Sequence, residues 1–249
     1  MPGDDLLYDI HQSEKDAAGS ALEEEWWHRG GPYEVGEGEV HVFPVLSRSE
    51  FSLARPVPPG APEGGDDRAV RDLLACLSRR SPEDIRLARD DLGRLRWEAG
   101  SLGVAICRDE GGMLVALARG MSVALSAVAV PGSVEAEALL PFSRSERAFA
   151  GEATAGQRSF LLARMWARKE AALRLAGRGG FALAAEVDVL GAGPDGRVVI
   201  PASGPFGGGG VAYVRDLFAG AGAAAAVAAS APVRRAVFRR LRCPEPATA

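Results

Sequence analysis

The chain has 249 residues, of which 47% are hydrophobic and 25% are charged, with a formal net charge of −4. Its length and apolar content suffice for a sizeable core, arranged as one large domain or two small ones. The negative net charge supplies no global positive field to attract nucleic acid, which argues against a nucleic-acid-binding role.

The amino-terminal residues 1–34 are polar and acidic, and they predict a partly ordered arm whose Trp26 and Trp27 dock on the main body. They lack the basic head and apolar run of a signal peptide. The apolar tract at 219–231 is too short and too rich in Gly and Ala to span a bilayer. Cysteines occur at three widely spaced positions, which indicates neither a disulfide framework nor a zinc site. We therefore expect a cytoplasmic protein with three reduced thiols: Cys76, Cys107 and Cys243.

The first half of the chain predicts several strands around one helix. Residues 39–46 alternate in polarity and are β-branched, as in a strand. A Pro- and Gly-rich loop at 54–67 leads to residues 66–80, whose apolar positions recur at helical spacing behind an acidic start. Two short strands are expected around the turn at 91–93, and two or three apolar strands within 102–130.

The second half predicts a short helix, a long helix and then strands. Ser143 and Glu146 form the capping-box pattern that opens the short helix, and Gly177 ends the long one. The Ala-rich segment 221–230 suits a helix by propensity, but its place after a strand and a Gly turn favours another strand. The pattern as a whole indicates an α+β chain with two similar halves. Further strands are expected at 182–190, 196–202 and 211–218.

One segment of the second half resembles a known protein family. It contains an F-S-x-x-E helix start, then W-x-x-K-E-A, a Gly-rich turn and a strand, and this order is similar to the carboxyl-terminal core of the surfactin-type 4'-phosphopantetheinyl transferases. Flanking segments between residues 39 and 235 resemble the family in the same order. Arg174 stands where the family has a final lysine. The matching residues are Phe142, Ser143, Glu146, Trp166, Lys169, Glu170 and Ala171.

The resemblance implies two pseudo-symmetric α+β halves that bind coenzyme A between them and move phosphopantetheine onto a carrier-protein serine. It implies an acyl or peptidyl carrier protein as partner, and coenzyme A or carrier-bound phosphopantetheine as ligand. We expect a monomer. We place an acidic arm at 1–34, the two halves at 35–122 and 123–235, and a tail at 236–249.

The resemblance also implies roles for individual residues. Arginine supplies 27 of the 29 basic residues, so a lysine inside the motif is informative. An ammonium is a compact and flexible donor for a phosphate, whereas a guanidinium is a rigid fork. We therefore expect Lys169 to contact a phosphate and Glu170 to act as an acid or base or as a residual metal ligand. Arg108 is expected to make a second phosphate contact, Ser126 to lie in the former metal corner, and Trp166 to be structural. The alternative for Lys169 and Glu170 is an ion-paired surface of an amphipathic helix.

Two departures from the family pattern affect the expected chemistry. The family holds its metal with two carboxylates on a strand and one on the helix, but here Ser126 and Val128 occupy the strand positions. Glu170 remains as one carboxylate, so ordinary magnesium binding is not expected; whether Asp109 or Glu110 replaces the missing ligands stays open. A family segment that supplies a histidine to coenzyme A is replaced by one that contains Cys107 and Arg108. Cys107 suits a buried small side chain, since an activated nucleophile would need a basic partner.

Three functions are compatible with this pattern. The favoured one is a degenerate transferase-like protein that binds a carrier protein and its pantetheine-tethered intermediate, or coenzyme A, within polyketide or nonribosomal peptide biosynthesis. The second is an active phosphopantetheinyl transferase with an altered metal shell. The third is a scaffold of a biosynthetic complex. Loss of both strand carboxylates from an otherwise apolar strand favours the first.

Overall fold

A computed structural model describes residues 25–27, 33–46, 64–109, 112–178, 181–190, 192, 196–202, 209–218 and 222–241. Within these ranges the protein is a mixed α+β fold with two sheets and three helices of two turns or more, together with a single-turn helix. The α+β class expected from the sequence is confirmed. The α-helices are α1 (Gly64–Ser78), α2 (Arg144–Gly151), α3 (Ala155–Leu175) and the single turn α4 (Phe181–Ala184). Short 3-10 turns lie at Pro82–Asp84, Glu98–Gly100 and Glu137–Leu139.

The first sheet has seven strands in the order β1-β11-β2-β6-β5-β4-β3. It is antiparallel except for β11, which runs parallel to both of its neighbours. The expected strands of the first half are all present, including the two short ones around the turn at 91–93. The strands are β1 (Glu25–Trp27), β2 (Glu39–Leu46), β3 (Leu87–Arg89), β4 (Leu95–Trp97), β5 (Leu102–Asp109), β6 (Gly112–Arg119) and β11 (Arg235–Leu241).

The last strand corrects one sequence prediction. Residues 236–241 were expected to lie in a tail, but they belong to β11, which pairs with β2 in the register Val237 to His41. Val237 is buried, and Ala236 and Phe238 pack against the apolar cluster between the two sheets. The chain therefore returns to the first sheet after completing the second. The predicted arm is described only at β1 and from residue 33, and residues 242–249 of the predicted tail lie outside the described residues.

The second sheet is antiparallel, with four strands in the order β7-β10-β9-β8. Strand β10 is the Ala-rich segment, so the favoured prediction of a strand is confirmed. Its small side chains are buried on both faces of the sheet, which lets a helix and the other sheet approach closely. The strands are β7 (Val123–Ala129), β8 (Arg197–Ile200), β9 (Gly210–Phe218) and β10 (Ala223–Ala229).

Three apolar clusters arrange the elements in four layers. Helix α1 packs on the outer face of the first sheet, the inner faces of the two sheets meet, and helix α3 packs on the outer face of the second sheet. Alternation along β7 places Val123 and Leu125 against the first sheet and Ala124 toward α3. Strand β5 crosses close to the start of β7 at Gly103, where a Cβ would lie 2.1 Å from the Met121 carbonyl oxygen. Strand β7 thus lies at the junction of both sheets and α3.

Local capping rules account for the helix boundaries. Ser143 and Glu146 form the predicted capping box at the start of α2. Helix α3 ends at Leu175, and Gly177 follows with a positive φ of 67° that favours glycine. The segment 182–190 was predicted to be a strand, and this prediction is wrong: it forms α4 and then an irregular stretch. Its backbone groups form hydrogen bonds with the buried side chains of Lys169 and Glu146, so they are not available to pair with a strand.

Across the part of the chain that the structure describes, every helix is too short or too polar to cross a lipid bilayer.

Asp216 of β9 is bound by two arginines of α3. Arg168 donates through Nε to Oδ1 at 2.6 Å, and Arg164 and Arg168 both donate to Oδ2. Burial raises the pKa of Asp216, but the charges and hydrogen bonds of Arg168 and Arg164 outweigh burial and bring this pKa to about 2. The cluster ties helix α3 to the second sheet.

We predict that Asp216 contributes an acid-sensitive part of the stability. Because its folded pKa of about 2 lies below the ordinary value of 3.8, its contribution is complete above that ordinary value and is lost as the pH falls toward 2. The difference in unfolding free energy between the wild type and Asp216→Asn should shrink by about 2 kcal/mol over this window. Urea titrations at several pH values measure it. Val199→Thr on exposed β8 should follow the wild-type pH dependence, and a pH-independent difference for Asp216→Asn would contradict the prediction.

Candidate functional site

Helix α3 directs Lys169 and Glu170 into different surroundings. The Lys169 side chain is completely buried, whereas the Glu170 side chain is 27% exposed. Adjacent residues on a helix point about 100° apart, so one faces the core while the other lies at its margin. The two residues that resemble a catalytic pair therefore have separate partners.

Lys169 forms a buried ion pair with Glu146. Its Nζ lies 2.7 Å from Glu146 Oε2, and it donates to the Ala184 carbonyl oxygen at 2.6 Å and to that of Val187. Burial lowers the pKa of Lys169, and the hydrogen bond and charge of Glu146 oppose this shift. Three acceptors thus surround the three protons of the ammonium.

Glu146 has equally complete hydrogen bonding. Its Oε2 accepts the Ser143 backbone N–H at 2.8 Å, and its Oε1 accepts the Val189 backbone N–H at 3.1 Å. The carboxylate therefore caps α2, pairs with Lys169 and holds the segment after α4. Buried charges need full pairing of this kind, because an unpaired charge in the interior is strongly destabilising.

These contacts explain why position 169 has a lysine in an arginine-rich chain. A compact ammonium with three rotatable donors can reach one carboxylate and two carbonyl groups from different directions, whereas a planar guanidinium cannot. The arrangement argues against the predicted phosphate contact of Lys169, because its donors are occupied and its side chain has no exposed surface. For Lys169 it also argues against the alternative of a surface ion pair, whereas Glu170 does form a partly exposed ion pair with Arg174 four residues along the helix. Glu146, which the sequence identified as a capping and motif residue but not as an ion-pair partner, is the partner of Lys169.

Glu170 meets strand β7 at Ser126. The Ser126 hydroxyl donates to Glu170 Oε2 at 2.5 Å, and Ser126 is fully buried. Arg174, one turn further along α3, donates through Nη2 to Glu170 Oε1 at 2.8 Å. The strand and helix that the family resemblance aligns with a metal site thus lie in contact. We call Ser126, Glu170 and Arg174 the Glu170 corner.

Arg174 also donates a hydrogen bond to the open edge of β7. Strand β7 is an edge strand, paired with β10 on one side. On its other side the Leu125 carbonyl oxygen accepts Arg174 Nη1 at 2.8 Å, and the same nitrogen lies 3.7 Å from Cys107 Sγ. One guanidinium therefore links helix α3, the second sheet and strand β5 of the first sheet. The sequence identified Arg174 only as a replacement for a lysine.

Cys107 is a buried thiol at the sheet junction, 4% exposed. Burial raises its pKa, while the charge and hydrogen bond of Arg174 and the Ala127 backbone N–H act in the opposite direction. The raised pKa favours the protonated form, which is a poor nucleophile. This agrees with the expectation of a small buried side chain.

Arg108 is not brought to the Glu170 corner. It follows Cys107 on β5, so its side chain leaves the opposite face of the sheet, and it is exposed. The structure therefore does not place Arg108 beside Ser126 and Glu170. The Asp109 side chain and all of Glu110 lie outside the described residues, so their expected role as substitute ligands stays a prediction.

The donor groups of the Glu170 corner do not fit a magnesium ion. Magnesium takes about six oxygen ligands in octahedral geometry. The corner has one carboxylate, whose oxygens already accept hydrogen bonds from Ser126 and Arg174, and the Arg174 charge would repel a cation. No group of three or more His, Cys, Asp or Glu residues that could hold a metal occurs among the residues described.

We predict that Lys169→Met destabilises the fold by about 3–5 kcal/mol, because it leaves the Glu146 carboxylate buried without its counter-charge. The double variant Glu146→Gln with Lys169→Met should recover most of this loss, since glutamine can still serve the capping box. Urea denaturation measures both. Arg147→Met on the exposed face of α2 is the control and should change stability by about 0.5 kcal/mol or less. Equal destabilisation of the single and double Lys169 variants would contradict the ion-pair assignment.

We also predict that Cys107 resists alkylation. In a Cys243→Ser background at about pH 8, iodoacetamide should modify half-buried Cys76 roughly tenfold or more faster than Cys107, because Cys107 is less exposed and its pKa is raised. Peptide mass spectrometry over time measures the two rates. The difference should disappear in denaturant. Equal rates in the native protein would show that the thiol is accessible.

Comparison with known proteins supplies no role for these residues. No family model and no curated protein matches the chain.

Proposed function

We propose that this chain is a degenerate member of the surfactin-type 4'-phosphopantetheinyl transferases. It binds an acyl or peptidyl carrier protein with its pantetheine-tethered intermediate, or coenzyme A, in polyketide or nonribosomal peptide biosynthesis. It does not carry out the ordinary magnesium-dependent transfer. The observation that carries the proposal is the hydrogen bond of 2.5 Å between Ser126 and Glu170.

This hydrogen bond supports the proposal in two ways. It joins the two segments that the resemblance aligns with the metal-binding strand and helix of the family, although they are 44 residues apart in sequence. It also places a hydroxyl where a metal ligand is expected, so the contact between strand and helix is kept while the ion-binding charge is lost. A contact between strand and helix that is present without the two strand carboxylates fits ligand binding better than phosphoryl transfer. Phosphoryl transfer depends on a metal to offset phosphate charge.

The surroundings of the corner suit an anionic ligand. Arg174 is 43% exposed, so solvent reaches the corner at its rim. Its Nε proton and one Nη2 proton have no acceptor among the described residues, whereas its other protons bind Glu170, Leu125 and Cys107. A guanidinium with two remaining donors is suited to a phosphate oxygen pair. Since Lys169 is buried, Arg174 replaces it as the expected phosphate contact.

The proposal predicts binding without transfer. Apo carrier protein incubated with the chain, coenzyme A and magnesium should show no increase in intact mass. Calorimetry should detect binding of coenzyme A or of holo carrier protein, and Arg174→Gln should weaken it by roughly 10- to 100-fold, the loss of a hydrogen bond to a charged group. Arg147→Gln makes the same charge change on exposed α2 and should have little effect.

The possible results separate the proposed function from its competitor. A magnesium-dependent mass increase on the carrier protein would establish the active transferase with an altered metal shell. Absence of binding to coenzyme A and to holo carrier protein by a folded wild type would contradict a retained ligand cleft. Binding that is equally strong in Arg174→Gln would place the ligand away from the Glu170 corner.

A further inference from the structure

We infer that Arg174 is the resident cation of the Glu170 corner and takes the electrostatic place that a divalent metal would have there. The inference deepens the proposed function, because the expectation of a metal at this position rests on the family resemblance. The fold of this chain supplies one positive group, held at fixed contacts, that excludes a divalent ion.

The charges of the Glu170 corner are balanced. Glu170 contributes one negative charge and Arg174 one positive charge, and the two groups lie 2.8 Å apart. The neutral Ser126 hydroxyl donates a hydrogen bond to Glu170 and adds no charge to the corner. The corner is therefore neutral as it stands. A divalent ion would add two positive charges beside a guanidinium, which would repel it.

Arg174 is held from more than one side. An exposed ion pair four residues apart on a helix contributes little stability, so such a pair alone would exchange readily with an ion. Here Nη1 also donates to the Leu125 carbonyl oxygen at 2.8 Å and contacts the Cys107 sulfur. If a metal displaced the whole Arg174 side chain from the corner, the Leu125 carbonyl oxygen would lose this hydrogen bond as well. The planar fork can bind Glu170 and Leu125 together, which a lysine ammonium on a flexible stem is less suited to do.

The inference predicts that removing Arg174 and restoring a carboxylate creates a metal site. In Ser126→Asp with Arg174→Met, carboxylates at positions 126 and 170 would face one another without a cation between them. Titration with Mn²⁺ alone, followed by electron paramagnetic resonance, should show saturable binding to this double variant at least tenfold tighter than to the wild type. Adding Glu170→Gln should remove that binding. Ser126→Asp with Arg174 retained is the matched control and should bind Mn²⁺ less tightly than the double variant.

Two results would overturn the inference. One is saturable Mn²⁺ binding by the wild type that Glu170→Gln abolishes, since a metal would then occupy the corner despite Arg174. The other is a double variant that is folded by circular dichroism and binds Mn²⁺ no better than the wild type. The wild-type titration decides the first point even if the double variant does not fold.

A separate measurement keeps this inference distinct from the proposed function. If coenzyme A binds the wild type, its affinity should be equal within about twofold in magnesium and in chelator, and a strong dependence on magnesium would count against Arg174 as the resident cation. If coenzyme A does not bind in either condition, the coenzyme A part of the proposed function fails. The Mn²⁺ titrations still decide the role of Arg174.

Discussion

The buried ion pair between Glu146 and Lys169 is the interaction on which the arrangement of the second half depends. It joins the start of α2, the middle of α3 and the segment after α4 in one set of hydrogen bonds. Both side chains are without solvent exposure, so neither charge can turn to water if a partner is lost. Such a pair adds little net stability over an apolar core, but loss of one member is costly. It therefore specifies one packing of these segments rather than several.

That packing determines where Glu170 lies. Because Lys169 is fixed from three directions, the turn of α3 that carries it cannot rotate without separating buried charges, and the next residue is held against β7. Ser126 reaches Glu170 from the sheet, and Arg174 reaches it from the following turn of the same helix. Lys169, the structural residue, and Glu170, the candidate functional residue, are adjacent in sequence, but Lys169 is buried and Glu170 is partly exposed. The ion pair thus holds the Glu170 corner without taking part in it.

Local rules predicted much of the fold, and long-range contacts account for what they missed. Alternation and turn residues predicted most strands, and the capping box and Gly177 predicted the helix ends, because these signals act over a few residues. Segment 182–190 has the alternation of a strand, but its backbone binds Lys169 and Glu146, which lie far away in sequence. The pairing of β11 with β2 likewise joins the two ends of the described fold. The contact of Ser126 with Glu170 was expected only through the family resemblance. The contacts of Arg174 with Leu125 and Cys107 depend on tertiary structure that no local pattern encodes.

The residues at positions 126 and 174 are best understood together. A carboxylate at 126 beside Glu170 would place two negative charges at the edge of β7, and one guanidinium could neutralise only half of them. With serine at 126, the single negative charge of Glu170 is matched by Arg174, and the hydroxyl completes the hydrogen bonding of the carboxylate. Arg174 also needs an acceptor on β7, and the open edge of the strand supplies the Leu125 carbonyl group. Serine at 126 and arginine at 174 are therefore two parts of one charge balance, because a carboxylate at 126 or a neutral side chain at 174 would leave the corner charged.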